Sequence, residues 1–247
     1  MSDDPRRPVC VVIGAGDGLG ASIARAFAAE GLAVCVTRRP RHAEALQKLA
    51  DSIRAEGGQA HAFGLDARNE ADVAAFVDAA ERTIGPIEVL VFNIGANVRF
   101  PIVETTTRVY SKVWEMAALA GFLASREAAR VMVARGRGAI LITGATASLR
   151  GGAGFSAFAG AKHALRALAQ SLAREIGPKG VHVAHVVIDG AIDGAFIRGL
   201  MPDASEKLAR EEILVPDEIA KNYVWLYRQK RSAWTFEMDL RPWSETW

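Results

Sequence analysis

Short apolar runs alternate along the chain with longer stretches in which apolar and polar residues recur at helical spacing. The runs fall at 9–13, 33–37, 59–64, 87–92, 139–143 and 181–188. They lack the polar alternation of a half-exposed strand, as expected of strands covered on both faces. Helical periodicity fills the intervals at about 17–30, 41–56, 69–84, 107–135 and 156–177. Glycines follow several of these stretches, at Gly31, Gly57-Gly58, Gly85-Pro86 and Gly177-Pro178, where a helix would stop. Strand–helix alternation of this kind predicts a parallel sheet with right-handed crossovers. The rhythm breaks at 189–215, an irregular stretch, and resumes with a helix at 216–228 and a last strand near 235–240. The expectation is an α/β protein: a doubly wound parallel sheet of about seven strands in three layers. No repeat or linker divides residues 1–247, so one domain is the simplest organisation.

The first strand runs straight into Gly14-Ala15-Gly16-Asp17-Gly18-Leu19-Gly20, and a helix follows. Glycines at such a turn allow backbone to approach a pyrophosphate closely. The helix start offers free N–H groups and the positive end of a dipole. Two further features bear on the ligand. The second strand ends in Thr37-Arg38-Arg39, with no carboxylate where an acid would select a ribose diol. Guanidinium forks there suit a 2′-phosphate, so NADP is expected ahead of NAD. Asp17 opposes this, since its charge would repel that phosphate.

Composition narrows the field. The chain carries 30 basic and 28 acidic residues, a net charge of +2, which gives no basic face for nucleic acid or a membrane surface. No apolar run approaches the ~18 residues of a membrane span, and residues 1–8 are polar and charged rather than signal-like, so a cytoplasmic protein is expected. Cys10 and Cys35 lie in apolar strand runs and read as core. His42, His61, His182 and His185 form no metal-ligand grouping, and the odd spacing of His182 and His185 puts them on opposite faces of one strand. The five tryptophans, Trp243 and Trp247 among them, read as core or subunit-interface residues.

Taken in order, these motifs resemble the short-chain dehydrogenase/reductase family over about residues 8–241. Its glycine motif is Thr-Gly-x-x-x-Gly-x-Gly, with Ile13 here in place of the threonine. Asp66, next to Ala67 after the third strand, matches the acid that contacts adenine. Asn93-Ile94-Gly95-Ala96 matches the turn after the fourth strand with its last two residues exchanged. Asp189-Gly190 matches a Pro-Gly turn with the proline replaced, and Ile192 follows it as a further cofactor contact. Lys162 matches the lysine of Tyr-x-x-x-Lys. The resemblance therefore implies a Rossmann-type fold and a cofactor held by Gly14, Gly16, Asp17, Gly18, Leu19, Gly20, Arg38, Arg39, Asp66, Ala67, Asn93, Gly95, Lys162 and Ile192.

The same alignment empties the family's proton machinery. Phe158 stands at the tyrosine position, Ala145 at the serine and Ala118 at the asparagine. Phenylalanine has no proton to exchange, and a positioned general acid is worth roughly 10²–10⁴-fold in rate. Thr146, one residue past the serine position, is the first candidate for a replacement and is paired here with Lys162 as the catalytic set. Ser148, Ser156, His163 and Asp193 rank behind it. The expected function is oxidoreduction of a carbonyl or alcohol on an unidentified small molecule by a non-standard proton route. The alternative is an inactive cofactor-binding protein with a regulatory or structural role. Relatives pair the helices matching 107–135 and 156–177 across subunits, so a homo-oligomer is expected, a tetramer first and a dimer second, with close approach at Ala124, Ala128 and Ala129.

Overall fold

The computed structural model describes residues 5–246. Residues 1–4 and Trp247 lie outside the described residues. Seven parallel strands form one sheet in the order β3-β2-β1-β4-β5-β6-β7. In chain order they are β1 (Val9–Ile13), β2 (Ala33–Arg38), β3 (Gln59–Gly64), β4 (Ile87–Phe92), β5 (Gly138–Thr143), β6 (Val181–Ile188) and β7 (Glu237–Leu240). The chain winds outward from β1 to β3, then returns to β4 beside β1. That reversal opens a crevice above the strand ends, where open α/β sheets bind ligands.

Two cores sandwich the sheet, because alternate strand residues face opposite ways. Val9, Val11 and Ile13 meet α3 (Glu70–Thr83), α5 (Ala120–Arg135) and α6 (Ser156–Ile176). Cys10 and Val12 meet α1 (Leu19–Ala29), α2 (Ala43–Ala55) and α9 (Pro216–Arg228). Both cysteines are fully buried and free, and burial pushes the Cys35 thiol up to about 12, which leaves it unreactive.

The predicted elements stand, with four differences. The helix expected at 17–30 begins at Leu19, leaving Asp17 and Gly18 in the turn. The helix expected over 107–135 is α4 (Thr107–Trp114), a wider π turn at Glu115–Leu119, and then α5. Residues 189–215 are less irregular than expected, since they hold α7 (Ala195–Leu200), α8 (Ala204–Ala209) and a single bridge from Ile192 to Leu214. The outer strand β3 is only partly covered, as an edge strand is.

One reading of surface and core needs correction and another is narrowed. Ala124, Ala128 and Ala129 face inward, buried against the sheet, so they offer no surface to a second subunit. Helix periodicity alone does not say which stripe meets the sheet. Of the tryptophans, Trp114, Trp225 and Trp243 are exposed rather than core, while Trp234 stacks on His182 at 4.9 Å.

His182 and His185 do fall on opposite faces of β6. His185 is fully buried, with Nδ1 3.0 Å from Glu237 on β7, whose carboxylate takes both arms of Arg166 at 2.6 and 2.7 Å. Burial pulls His185 down to about 4 in spite of Glu237, so at neutral pH the uncharged ring donates through Nδ1–H. A folded-state value below the unfolded ~6.5 means the unfolded chain binds the proton first. The stabilisation is complete above about pH 6.5 and is lost as pH falls through that value toward 4. It amounts to on the order of 3 kcal/mol. Urea unfolding followed from pH 7 to 4.5 should show this loss, and His185→Gln should flatten the curve.

Candidate active site

The crevice is built first by backbone. Gly14 has φ +93°, and a Cβ there would sit 2.9 Å from the Asn93 carbonyl. A Cβ on Gly20 would lie 2.5 Å from the Gly14 carbonyl and 2.8 Å from Ala15 Cα. These two glycines let β1, α1 and the end of β4 close on one another. Asn93 ties the contact, donating Nδ2 to the Gly14 carbonyl at 3.2 Å and its backbone N–H to Ile13 at 2.8 Å. Gly16 and Gly18 differ from them. A Cβ on Gly16 would meet nothing within 4 Å, and one on Gly18 only the Asp193 carbonyl at 4.0 Å. The space above them is open toward the start of α1, whose first N–H groups have no partner within the helix. An anion fits there on both steric and electrostatic grounds. Leu19 is buried in the α1 core, so only its backbone could contribute.

On one side of this turn lies a cleft of about 240 Å³. Gly14, Gly16, Arg38, Arg39, Asp66, Ala67, Asn93 and Gly95 of the expected cofactor set line it, joined by Met116 from the π turn. Arg38 pairs with Asp17 at 3.2 Å, so the Asp17 charge, expected to oppose a phosphate, is already offset. The Arg39 side chain makes no hydrogen bond or ion pair among the described residues. Partial burial, then the neighbouring Arg41 and Arg68, hold its guanidinium below the ordinary range. It is a cation short of an anion. Asp66 is engaged by Arg68 through both oxygens, at 2.9 and 2.6 Å, and the Arg68 hydrogen bond draws it down to about 2. It remains a carboxylate and retains acceptor capacity.

Across the crest, α6 delivers Lys162. It is 2% exposed and donates to the carbonyls of Thr143 at 2.9 Å and Ile94 at 3.2 Å. An ammonium has three donors, so one N–H is left for a ligand. Burial lowers Lys162 to about 8. One turn earlier, the Phe158 ring stands 5.9 Å from the Lys162 nitrogen, at the floor of an apolar cluster with Val113, Ala117, Ala147 and Ala161. Ala145 borders that cluster and Ala118 lies in the π turn, so neither brings a hydroxyl or amide. Ser156 and His163 are exposed, with His163 turned onto the Ala159 carbonyl at 2.9 Å. Ser148 is buried and accepts the Ala145 N–H at 3.1 Å. Asp193 is locked to Arg198 by two bonds of 2.8 Å. Ile192 packs beside the α1 and α9 core rather than in the adenosine-side cleft.

Thr146, the first of the expected replacements, has a buried carboxylate for a partner. Its hydroxyl donates to Asp189 at 2.5 Å. Asp189 is 1% exposed, and its second oxygen has no hydrogen bond. Arg150 stands 3.5 Å away and Arg241 3.6 Å. Sequence reasoning noted Asp189 only as a departure from proline and did not find Arg150 or Arg241. The signal was present: an ionisable residue at the buried end of a core strand requires partners.

Strand order, crest and glycine turn define the Rossmann-type class of α/β proteins. A family model described as short chain dehydrogenase matches residues 8–202. An uncharacterised oxidoreductase of Bacillus subtilis (strain 168), YxjF, is 33% identical over 202 residues, spanning 81% of this chain and 77% of that protein. The crystal structure of a short-chain dehydrogenase from Rhodopseudomonas palustris is 52% identical with a TM-score of 0.83, covering 97% of this chain and 100% of that one. A metagenomic short-chain oxidoreductase solved in complex with NADP is 26% identical with a TM-score of 0.78, over 95% and 97% of the two chains. The chain belongs to the short-chain dehydrogenase family, a family of oxidoreductases.

The two kinds of glycine make separable predictions. Gly20→Ala forces its methyl into the Gly14 carbonyl and should cost roughly 1–3 kcal/mol of stability along with cofactor affinity. Gly16→Ala meets no protein atom, so the melting temperature should hold while cofactor binding, read by calorimetry, weakens.

Proposed function

We propose that this chain is an NADP(H)-dependent oxidoreductase acting at a carbonyl or alcohol, with a proton route that does not use the family's serine and tyrosine. The observation that carries the cofactor reading is Arg39, a guanidinium without an ion-pair partner at the mouth of a cleft whose backbone is shaped for phosphate. The relative solved with NADP supports the same choice. The bound cofactor supplies or accepts the hydride. Gly16 and Gly18 leave room for its pyrophosphate, Arg39 takes the 2′-phosphate, and Lys162 offers its remaining N–H to the nicotinamide ribose. Phe158 and its apolar neighbours exclude water from the reacting end, where hydride transfer depends mainly on positioning.

The second reading, a cofactor-binding protein without turnover, draws on one feature. The hydroxyl that follows the Ala145 position in the chain, that of Thr146, already gives its proton to Asp189. Turnover of NADPH and NADP⁺ across panels of carbonyls and alcohols separates the two. Firm cofactor binding with no turnover on any substrate favours the second reading.

Two expectations follow for the isolated protein. NADPH should bind more tightly than NADH, and Arg39→Ala should weaken NADPH by roughly tenfold or more while sparing NADH. Equal affinities, unmoved by the substitution, would contradict the assignment. We also propose a homo-oligomer, tetramer before dimer. With the alanines turned inward, the contact would fall to the exposed Trp114, Leu119 and Phe122 along α4, the π turn and α5. Light scattering at micromolar concentration checks the mass, and Phe122→Glu should lower it.

A further inference from the structure

We propose that Thr146 and Asp189 form a two-step proton relay in which Asp189 is the terminal base and Thr146 carries the proton between it and the substrate oxygen. The inference rests on the oxidoreductase reading above and names the group that replaces the missing phenol.

Exposure separates the two roles. Asp189 is 1% exposed at the end of β6 and cannot touch a substrate. Thr146 is half-buried on the short turn after β5, between Ala145 and Ala147, which both pack into the Phe158 cluster. A threonine hydroxyl has one proton, and here that proton points at the Asp189 carboxylate across 2.5 Å. Thr146 is therefore not a donor to the substrate in the resting state. Its oxygen keeps lone pairs with which to accept.

Charge sets the direction. Arg150 from the turn after β5 and Arg241 from the segment after β7 flank Asp189 at 3.5 and 3.6 Å. Arg241 also meets Asp239 on β7, and Asp193, the next acid along the loop, is held by Arg198. Two guanidiniums thus face the Asp189 carboxylate. An ionised terminus accepts protons, so the relay favours oxidation of an alcohol. In that step the carbinol carbon loses its hydride to the oxidised nicotinamide. The alcohol O–H bond breaks, its proton goes to Thr146 Oγ, and the threonine's own proton goes to Asp189, whose carboxylate becomes a carboxylic acid. No other oxidant is needed, and the acid returns its proton through Thr146 to solvent once the ketone or aldehyde has left.

The test uses the full chain with NADP⁺ and a panel of secondary alcohols. Thr146→Val and Asp189→Asn should each lower kcat by about 10²-fold or more, the double variant being no worse than either alone. Thr146→Ser, which returns the hydroxyl, should recover most of what Thr146→Val loses. Affinity for NADP⁺ should stay within about twofold throughout. The pH profile of the rate should change in Asp189→Asn. A second readout needs no turnover. In protein labelled with ¹³C at aspartate carboxyls, the Asp189 resonance, identified by its loss in Asp189→Asn, should titrate at higher pH in Thr146→Val, because the anion has lost a donor.

Wild-type turnover that survives Asp189→Asn with an unchanged pH profile overturns the relay and leaves the oxidoreductase reading intact. So does an Asp189 titration unmoved by Thr146→Val, or a serine variant no better than the valine. A wild-type chain that binds NADP⁺ and NADPH yet turns over nothing overturns the oxidoreductase reading, and the relay with it. Should Asp189→Asn fail to fold, the Thr146 variants and the titration decide.

Discussion

Everything at the site hangs on how closely three pieces of backbone meet at the crest of the sheet. With hydrogen in place of a side chain at positions 14 and 20, the turn after β1 sits directly against the end of β4, and α1 begins within van der Waals reach of both. A protein interior is close-packed and transmits any displacement. Opening this contact by a methyl would move the start of α1, the Asn93 turn and the floor of the cleft together. The Asn93 hydrogen bond to Gly14 fixes the arrangement across a separation of 79 residues in sequence.

From that contact the site divides by charge. On the side of β2 and β3, cations gather, Arg38, Arg39, Arg41 and Arg68, with Asp17 paired to Arg38 and Asp66 and Glu115 paired to Arg68. On the side of β5 and β6 a carboxylate is buried, and cations stand around it rather than facing an open cleft. Burying a carboxylate is costly unless it is paired and hydrogen-bonded. Asp189 meets that requirement only because Thr146 and Arg150 come from the turn after β5 and Arg241 from the segment after β7. The dinucleotide-shaped space therefore has a positive end and an end with a caged negative charge. A symmetric cradle would not distinguish the two halves of its ligand.

The strands and most helices were legible in the sequence because a strand buried on both faces has few ways to look. Six apolar runs reappear as β1 to β6 within one residue. The glycine turn was equally plain, since its spacing carries its own steric reason. Less was legible where meaning lies in the direction of a side chain. Ala124, Ala128 and Ala129 form a small-residue stripe that suits either a sheet or a second subunit, and only the packed helix shows the sheet claimed it. Thr146 was found by its place in the chain, but its partner was not, because 43 residues separate it from Asp189. Arg241 was hidden for the same reason, lying past the final strand and far along the chain from Asp189.

The π turn at Glu115–Leu119 carries a consequence for how this helix is phased. An α-helix advances about 100° per residue, so two faces on one helix keep a fixed angle. Here α4 must aim Val113 at the cluster around Phe158, while α5 must aim Leu123 and Met132 at the sheet. The wider turn absorbs roughly one residue more than a regular turn would hold. Wound as ordinary α-helix, the same sequence would swing α5 by on the order of 100° against α4, and only one of the two faces could stay buried. The irregularity thus works as a phase shifter between the wall of the reacting end and the core of the sheet, and the same bulge turns Met116 toward the cleft.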